Sequence, residues 1–289
     1  MAEFVHNIKR EFDLPAGLKI YRLRQPDVSE EALRRVGSAF GLQATPQSGT
    51  LVHNARGIAF SMPSGWGLKL LRASGGWRYR HITRWQADDG TSHLTIADDE
   101  VVHLAQGFLA KFKLPSSPEL ERSRVERLHV AHSQREGKGH QERIVGARAL
   151  FRRVLDGLPV DGPGGTTVVY LDHARELTGI DHLWRAIDRV HEPVTKLRPV
   201  EEALQEVQQR YRTGGGRVEV IDLHLGYFEL GWDVEQNYLQ PAYVFTLQLG
   251  SENPQFRMKA TVPIAAAANA VGPIEPRLPL KQQPTRRAG

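Results

Sequence analysis

The chain has 289 residues, with 38 Lys and Arg against 33 Asp and Glu, a formal charge of +5, 40% hydrophobic and 25% charged residues, and no cysteine. This is ordinary globular composition, long enough for one large domain or two modest ones with self-sufficient cores. The missing cysteines exclude a disulfide framework, a Cys-ligated metal and a thiol nucleophile, and leave the compartment open.

In chain order, the first residues lack the apolar run of a secretory leader, and no window approaches the roughly 18 apolar residues of a membrane span. The expected location is cytoplasmic for the chain as given, extracytoplasmic if a leader was removed. The first helix is expected over Ser29–Phe40, with Leu33, Val36 and Phe40 on one face, Asp27 or Ser29 as N-cap and Gly41 as terminator. Strands are expected at Thr50–Met62, Trp66–Ala73 and Trp77–Trp85. The strongest helix is Ala97–Leu114, where Val101, Leu104, Ala105, Phe108, Leu109 and Phe112 form one stripe, acidic residues open it and Pro115 stops it. Pro115-Ser116-Ser117-Pro118 is the best linker candidate.

Further strands are expected at Arg124–His132, Arg143–Leu155, Thr166–Leu171 and Gly179–Val190, followed by a helix over Pro199–Tyr211. Arg217–Leu230 is a long strand whose apolar phase shifts between Val220 and Ile221, the mark of a bulge. Tyr243–Leu249 and Phe256–Val262 alternate with period two around hairpin chemistry at Ser251-Glu252-Asn253-Pro254. Glu30-Glu31-Ala32-Leu33-x-x-Val36 echoes in Glu201-Glu202-Ala203-Leu204-x-x-Val207, each opening a helix.

The fold class is therefore α+β with antiparallel, meandering sheets and two related halves, 1–115 and 116–271. A disordered basic tail is expected over 272–289. That tail carries +3 of the +5 charge, so the body is nearly balanced and nucleic-acid binding ranks low.

No strong catalytic motif is present. Gly162-Pro163-Gly164-Gly165 and Gly214-Gly215-Gly216 lack the context of a phosphate cradle and read as tight turns, and Ser64, with no strand-to-helix elbow, reads as a hairpin serine. His129, His132 and His140 do not converge at strand spacing on a metal, so neither metal nor cofactor is expected. Asp172-His173, Asp181-His182 and Asp222-x-His224 would serve acid–base chemistry only if one pocket received both members. Arg78, Arg80 and Arg84 share a strand parity opposite Trp77, Tyr79 and Trp85, the pattern of an amphipathic strand with a buried aromatic face. The 231–241 connection carries Trp232, Asp233, Glu235 and Tyr238, and loops of this kind on a rigid sheet favour recognition.

The second half resembles the bacterial YycI-like and PepSY-like regulatory proteins. The resemblance runs over Val145–Pro263, in the order of its pieces: Gly157-Leu158-Pro159-Val160-Asp161-Gly162, Thr167-Val168-Val169-Tyr170-Leu171-Asp172, and Leu177-Thr178-Gly179-Ile180-Asp181-His182-Leu183-Trp184. Glu201-Glu202-Ala203-Leu204, Tyr238-Leu239-Gln240-Pro241-Ala242-Tyr243-Val244-Phe245 and Val262-Pro263 follow. It implies curved antiparallel sheet with helices packed on one face, often duplicated, and non-catalytic restraint of a protease or sensor kinase. The expected function is a binding or regulatory module that takes a peptide, protein or small ligand on a concave sheet face. Trp184, Trp232 and Tyr238 would supply contact area, and Asp233 and Glu235 would orient a polar group. The alternative is a small-metabolite enzyme, a lyase, cyclase or hydrolase, using an Asp/Glu–His pair in a cleft between halves.

Overall fold

In the computed structural model, residues 3–6, 11–43, 48–86, 93–115, 120–133, 140–212, 216–250, 257–272 and 274 are described. Sixteen strands and four helices form among them, a sheet-rich α+β architecture. The chain divides into two compact units, each discontinuous in sequence: Met1–Ile20 with His191–Phe228 and Gln240–Gly289, and Tyr21–Val190 with Glu229–Leu239. Most of the 272–289 tail, and the 251–254 hairpin turn, lie outside the described residues.

The first unit is built on β13 (Arg217–Phe228), which pairs in parallel with β1 (Glu3–His6) and antiparallel with β15 (Pro241–Gly250); β15 in turn pairs with β16 (Arg257–Ala265). The phase shift in β13 is a bulge: the register slips between Val220 and Asp222, and Ile221 is left exposed. Period two holds only loosely in β15, where Tyr243, Val244 and Phe245 are all buried because both faces of the strand are covered there. Met258, in phase with Ala260 and Val262 along β16, is exposed. Helix α4 (Val200–Tyr211) starts after Pro199 and buries Val200, Ala203, Leu204 and Val207.

The second unit holds an antiparallel sheet in the order β7 (Leu120–Ser133), β8 (His140–Leu155), β10 (Thr166–Asp172), β11 (Leu177–Leu183), β6 (Trp77–His81), β5 (Trp66–Leu71), β4 (Gly57–Ser61) and β3 (Thr50–Asn54). One parity of these strands supplies Ala147, Val169, Ile180, Tyr79, Leu68 and Phe60 to a single core. Leu33 of α1 (Glu30–Ala39) and Val101, Ala105 and Leu109 of α3 (Asp98–Lys111) join that core, as the helical stripes require. The Ser29 hydroxyl accepts the Ala32 N–H at 3.1 Å, making it the N-cap of α1.

Three expected strands are each broken at a hydrogen bond between a side chain and a backbone N–H. Thr50–Met62 is a hairpin: the Asn54 side chain accepts the N–H groups of Arg56 and Gly57 at 2.9 and 3.1 Å and turns the chain. Trp77–Trp85 stops at His81, whose Nδ1 accepts the Arg84 N–H at 3.2 Å and opens the short helix α2 (Ile82–Gln86). Gly179–Val190 is interrupted after Leu183 and resumes as β12 (Ile187–Pro193). Arg185, in the gap, directs its backbone N–H to the Glu229 carboxylate at 2.9 Å.

Candidate functional site

The strand parity that does not feed the core carries a different chemistry. Across β6, β11, β10, β8 and β7 one register row reads Arg80, Gly179, Tyr170, Arg148, Glu126, and the neighbouring row on the same face reads Arg78, Asp181, Val168, Leu150, Arg124. Side chains two residues apart on one face of adjacent strands reach one another, so the rows act together.

Asp181 is the hub. Its carboxylate, 8% exposed, accepts Arg80 Nε at 3.0 Å and Nη2 at 2.5 Å, accepts the Tyr170 hydroxyl at 3.3 Å, and has Arg78 Nε at 3.8 Å. Gly179 makes this possible: a Cβ there would stand 3.0 Å from Arg80 Cγ, in the path by which that side chain crosses to Tyr170. Glu126 repeats the arrangement, accepting Arg124 Nε and Arg148 Nε, both at 2.6 Å. Four guanidiniums thus share two carboxylates. Their planes are steadied by rings: Arg80 lies 4.8 Å and Arg148 5.9 Å from the Tyr170 centroid, and Arg78 lies 4.4 Å from that of Trp232. Burial and the adjacent Asp181 push the Tyr170 phenol up, so it stays protonated and donates. Arg78, Arg148 and Arg124 remain 40%, 34% and 62% exposed, which keeps the array in reach of solvent.

Trp232 reaches this face because its loop is tied down from inside. Arg185, 3% exposed, donates to the carbonyls of Leu230 at 2.7 Å, Gly231 at 2.9 Å and Val234 at 2.5 Å, and to Glu229 Oε1 at 3.3 Å. Glu229 is fully buried, with Arg153 Nη1 4.0 Å away. Burial pushes the Glu229 carboxyl up and the Arg185 guanidinium down, while their mutual attraction opposes both shifts. Gln236 closes the loop, accepting the Leu230 N–H at 2.8 Å and donating to the Tyr238 carbonyl at 3.0 Å.

The five residues singled out in the sequence do not converge. Trp232 joins the array, and Asp233 pairs with Arg56 at 3.5 Å on the exposed surface. Glu235 is exposed. Tyr238 lies in β14 (Tyr238–Leu239), opposite Arg22 of β2 (Lys19–Leu23), whose guanidinium covers its ring at 4.7 Å. Trp184 packs against the core face instead, 5.8 Å from the His182 ring and under Arg153 at 4.5 Å. The acid–imidazole neighbours behave as strand geometry requires. Asp181 serves the array, while His182 points to the other face and meets Thr167 Oγ1 at 2.8 Å. Asp172 is taken by Arg84 at 2.9 Å, and Asp222 and His224 approach to 3.8 Å on a partly exposed strand surface. His129 pairs with Glu142 at 2.7 Å, and the side chains of His132 and His140 lie outside the described residues. Sequence reasoning missed Tyr170, Arg148, Glu126 and Arg124; the available signal was the Arg-x-Arg alternation of Arg78 and Arg80, facing away from Trp77 and Tyr79.

No protein-family model and no curated protein matches the chain. Among solved structures, a crystal structure of an uncharacterized protein from Eubacterium rectale is similar, with a TM-score of 0.49 and 10% identity over 88% of this chain and 85% of that one. Among the described residues, no helix is long and apolar enough to cross a membrane.

Proposed function

We propose that the protein is a non-catalytic binding or regulatory module that takes a peptide, protein or small ligand on the arginine-bearing sheet face beside Trp232. The observation that carries this reading is the sharing of two carboxylates by four guanidiniums. Each arginine is held in place by a carboxylate or a ring, while the array keeps a surplus of two positive charges toward solvent. Pre-organised guanidinium edges with an indole alongside suit an acidic segment bearing an apolar or aromatic group. The resemblance to YycI-like and PepSY-like proteins supports the same reading, with related halves and helices on one sheet face as part of it. The gathering of α1 and α3 on one strand parity of the second unit agrees with that arrangement.

The test uses an acidic peptide rich in Glu with one Trp, and its Gln counterpart, titrated calorimetrically into the full chain. The acidic peptide binds and weakens with salt, and the Arg78→Ala/Arg148→Ala double variant loses about tenfold or more in affinity. Equal binding of the two peptides, or no effect of the double variant, refutes the proposal. A duplex DNA that shifts in a gel at low salt more readily than the peptide binds would move the assignment to nucleic acid.

A further inference from the structure

On the opposite face of the same sheet, the second unit's core is left open along α1. A cavity of about 450 Å³ is floored by Phe40, Trp77 and Phe112. A second cavity, of about 170 Å³, reaches Trp184; Arg35 and Val36 line both, so the two lie side by side along the groove that α1 edges. The larger cavity falls in the size range of small-molecule sites.

A continuous aromatic row runs beneath the two cavities, with His182, which lines neither, as its inner link. Phe112 and Phe40 lie 4.7 Å apart, Phe40 and Trp77 5.2 Å, Trp77 and His182 5.1 Å, and His182 and Trp184 5.8 Å. The rim is cationic. Lys111 and Lys113 line the larger cavity and are exposed, and among the described residues no acid lines it. In the smaller one Asp27 is met by Arg35 at 3.0 Å.

Lys113 is placed at a conformational cost. It holds φ of 54° just past the end of α3, where glycine is the usual residue, fixed by bonds from its N–H to the Ala110 carbonyl and from Leu114 N–H to the Leu109 carbonyl. A β-carbon in that conformation costs about 1 kcal/mol, and residues strained in this way cluster at ligand sites.

We propose that this groove binds a small aryl carboxylate, its ring stacked on the Phe40 and Trp77 floor and its anionic group against Lys111 and Lys113. Apolar area and a one-sided cationic rim select this chemistry over a neutral arene, which would leave the rim unanswered but for the approach of Lys111 Nζ to within 5.6 Å of the Phe112 ring, and over a polyanion, which would leave the aromatic row without a role. The site is independent of the arginine array, so either proposal can fail alone.

The experiment titrates naphthoate and its neutral analogue naphthylmethanol into the full chain by calorimetry. Naphthoate binds saturably and about tenfold more tightly than the alcohol. The Lys111→Glu/Lys113→Glu variant, with unchanged circular dichroism, loses that preference, and Lys111→Arg/Lys113→Arg keeps it. No saturable binding of naphthoate, equal affinity for the two ligands, or a preference that survives charge reversal overturns the proposal.

Discussion

Replacing Arg185 with Leu tests whether the buried ion cluster holds the Trp232 loop. Leucine keeps part of the apolar stem but removes the donor to three loop carbonyls and the nearer partner of Glu229, whose other guanidinium, that of Arg153, stands 4.0 Å away. A buried charge stripped of its partner costs about 3–5 kcal/mol, and each orphaned carbonyl adds about 1 kcal/mol where water cannot reach it. Because Arg153 stays near Glu229 and the loop can open to solvent, the net loss expected is about 4–6 kcal/mol, a large fraction of a typical stability. Urea unfolding followed by tryptophan fluorescence is the assay, because all five tryptophans lie in the second unit and report on it separately. Glu229→Gln keeps an acceptor for the Arg185 N–H and is expected to cost about 1–2 kcal/mol; the double variant then loses less than the sum, with a coupling of about 2–3 kcal/mol. Limited proteolysis should cut Arg185→Leu between residues 231 and 237. A loss below about 1 kcal/mol, or no coupling in the cycle, would refute the view that this cluster moors the loop.

Gly179→Ala places a Cβ 3.0 Å from both Arg80 Cγ and the Tyr79 carbonyl; we expect a stability loss of about 1–3 kcal/mol and weaker acidic-peptide binding, measured together by urea unfolding and calorimetry. Trp232→Ala removes the ring under Arg78 and should lower peptide affinity about tenfold while changing stability by less than about 1 kcal/mol. His182 is held down to about 4 from an ordinary 6.5, by burial and then by Arg153, so it is neutral in the fold and the unfolded chain takes up its proton first. Its contribution is therefore flat above pH 6.5 and falls as pH drops from 6.5 toward 4, by roughly 1–2 kcal/mol because the residue is only half-buried by its accessible surface. Unfolding midpoints of wild type and His182→Gln should diverge in that window and run parallel above it.

Much of the architecture was legible because it rests on local periodicity. The stripe of α3, a cap at Asp27 or Ser29, of which Ser29 is the one used, and the bulge at Ile221 each follow from residues within one or two turns or strands of each other. The misread segments were those where a side chain bonded to the backbone ends an otherwise extended pattern, from two or three residues away at Asn54 and His81 and from 44 residues away at Glu229. Asn54 does this through two hydrogen bonds to backbone N–H groups, His81 and Glu229 through one each, and nothing in the hydrophobic alternation of Thr50–Met62, Trp77–Trp85 or Gly179–Val190 registers them. The discontinuous division of the chain is of the same kind, since it depends on pairings such as β13 with β15 across a turn carried by the other unit.

The array was half visible for a more specific reason. A strand shows which of its own residues share a face, so Arg78 and Arg80 could be set apart from Trp77 and Tyr79, but it cannot show which residues of other strands fall in register with them. Asp181 looked like half of an Asp–His pair until the pairing of β11 with β6 put it opposite Arg78 and beside Arg80. Tyr170 and Arg148 follow one and two strands further on, more than sixty residues from Arg78 in sequence. The charge balance hid them as well: charges spread over four strands leave the body near neutral while gathering four guanidiniums around two carboxylates on one face. Net charge bounds the average field, and recognition depends on where register gathers the residue that remains.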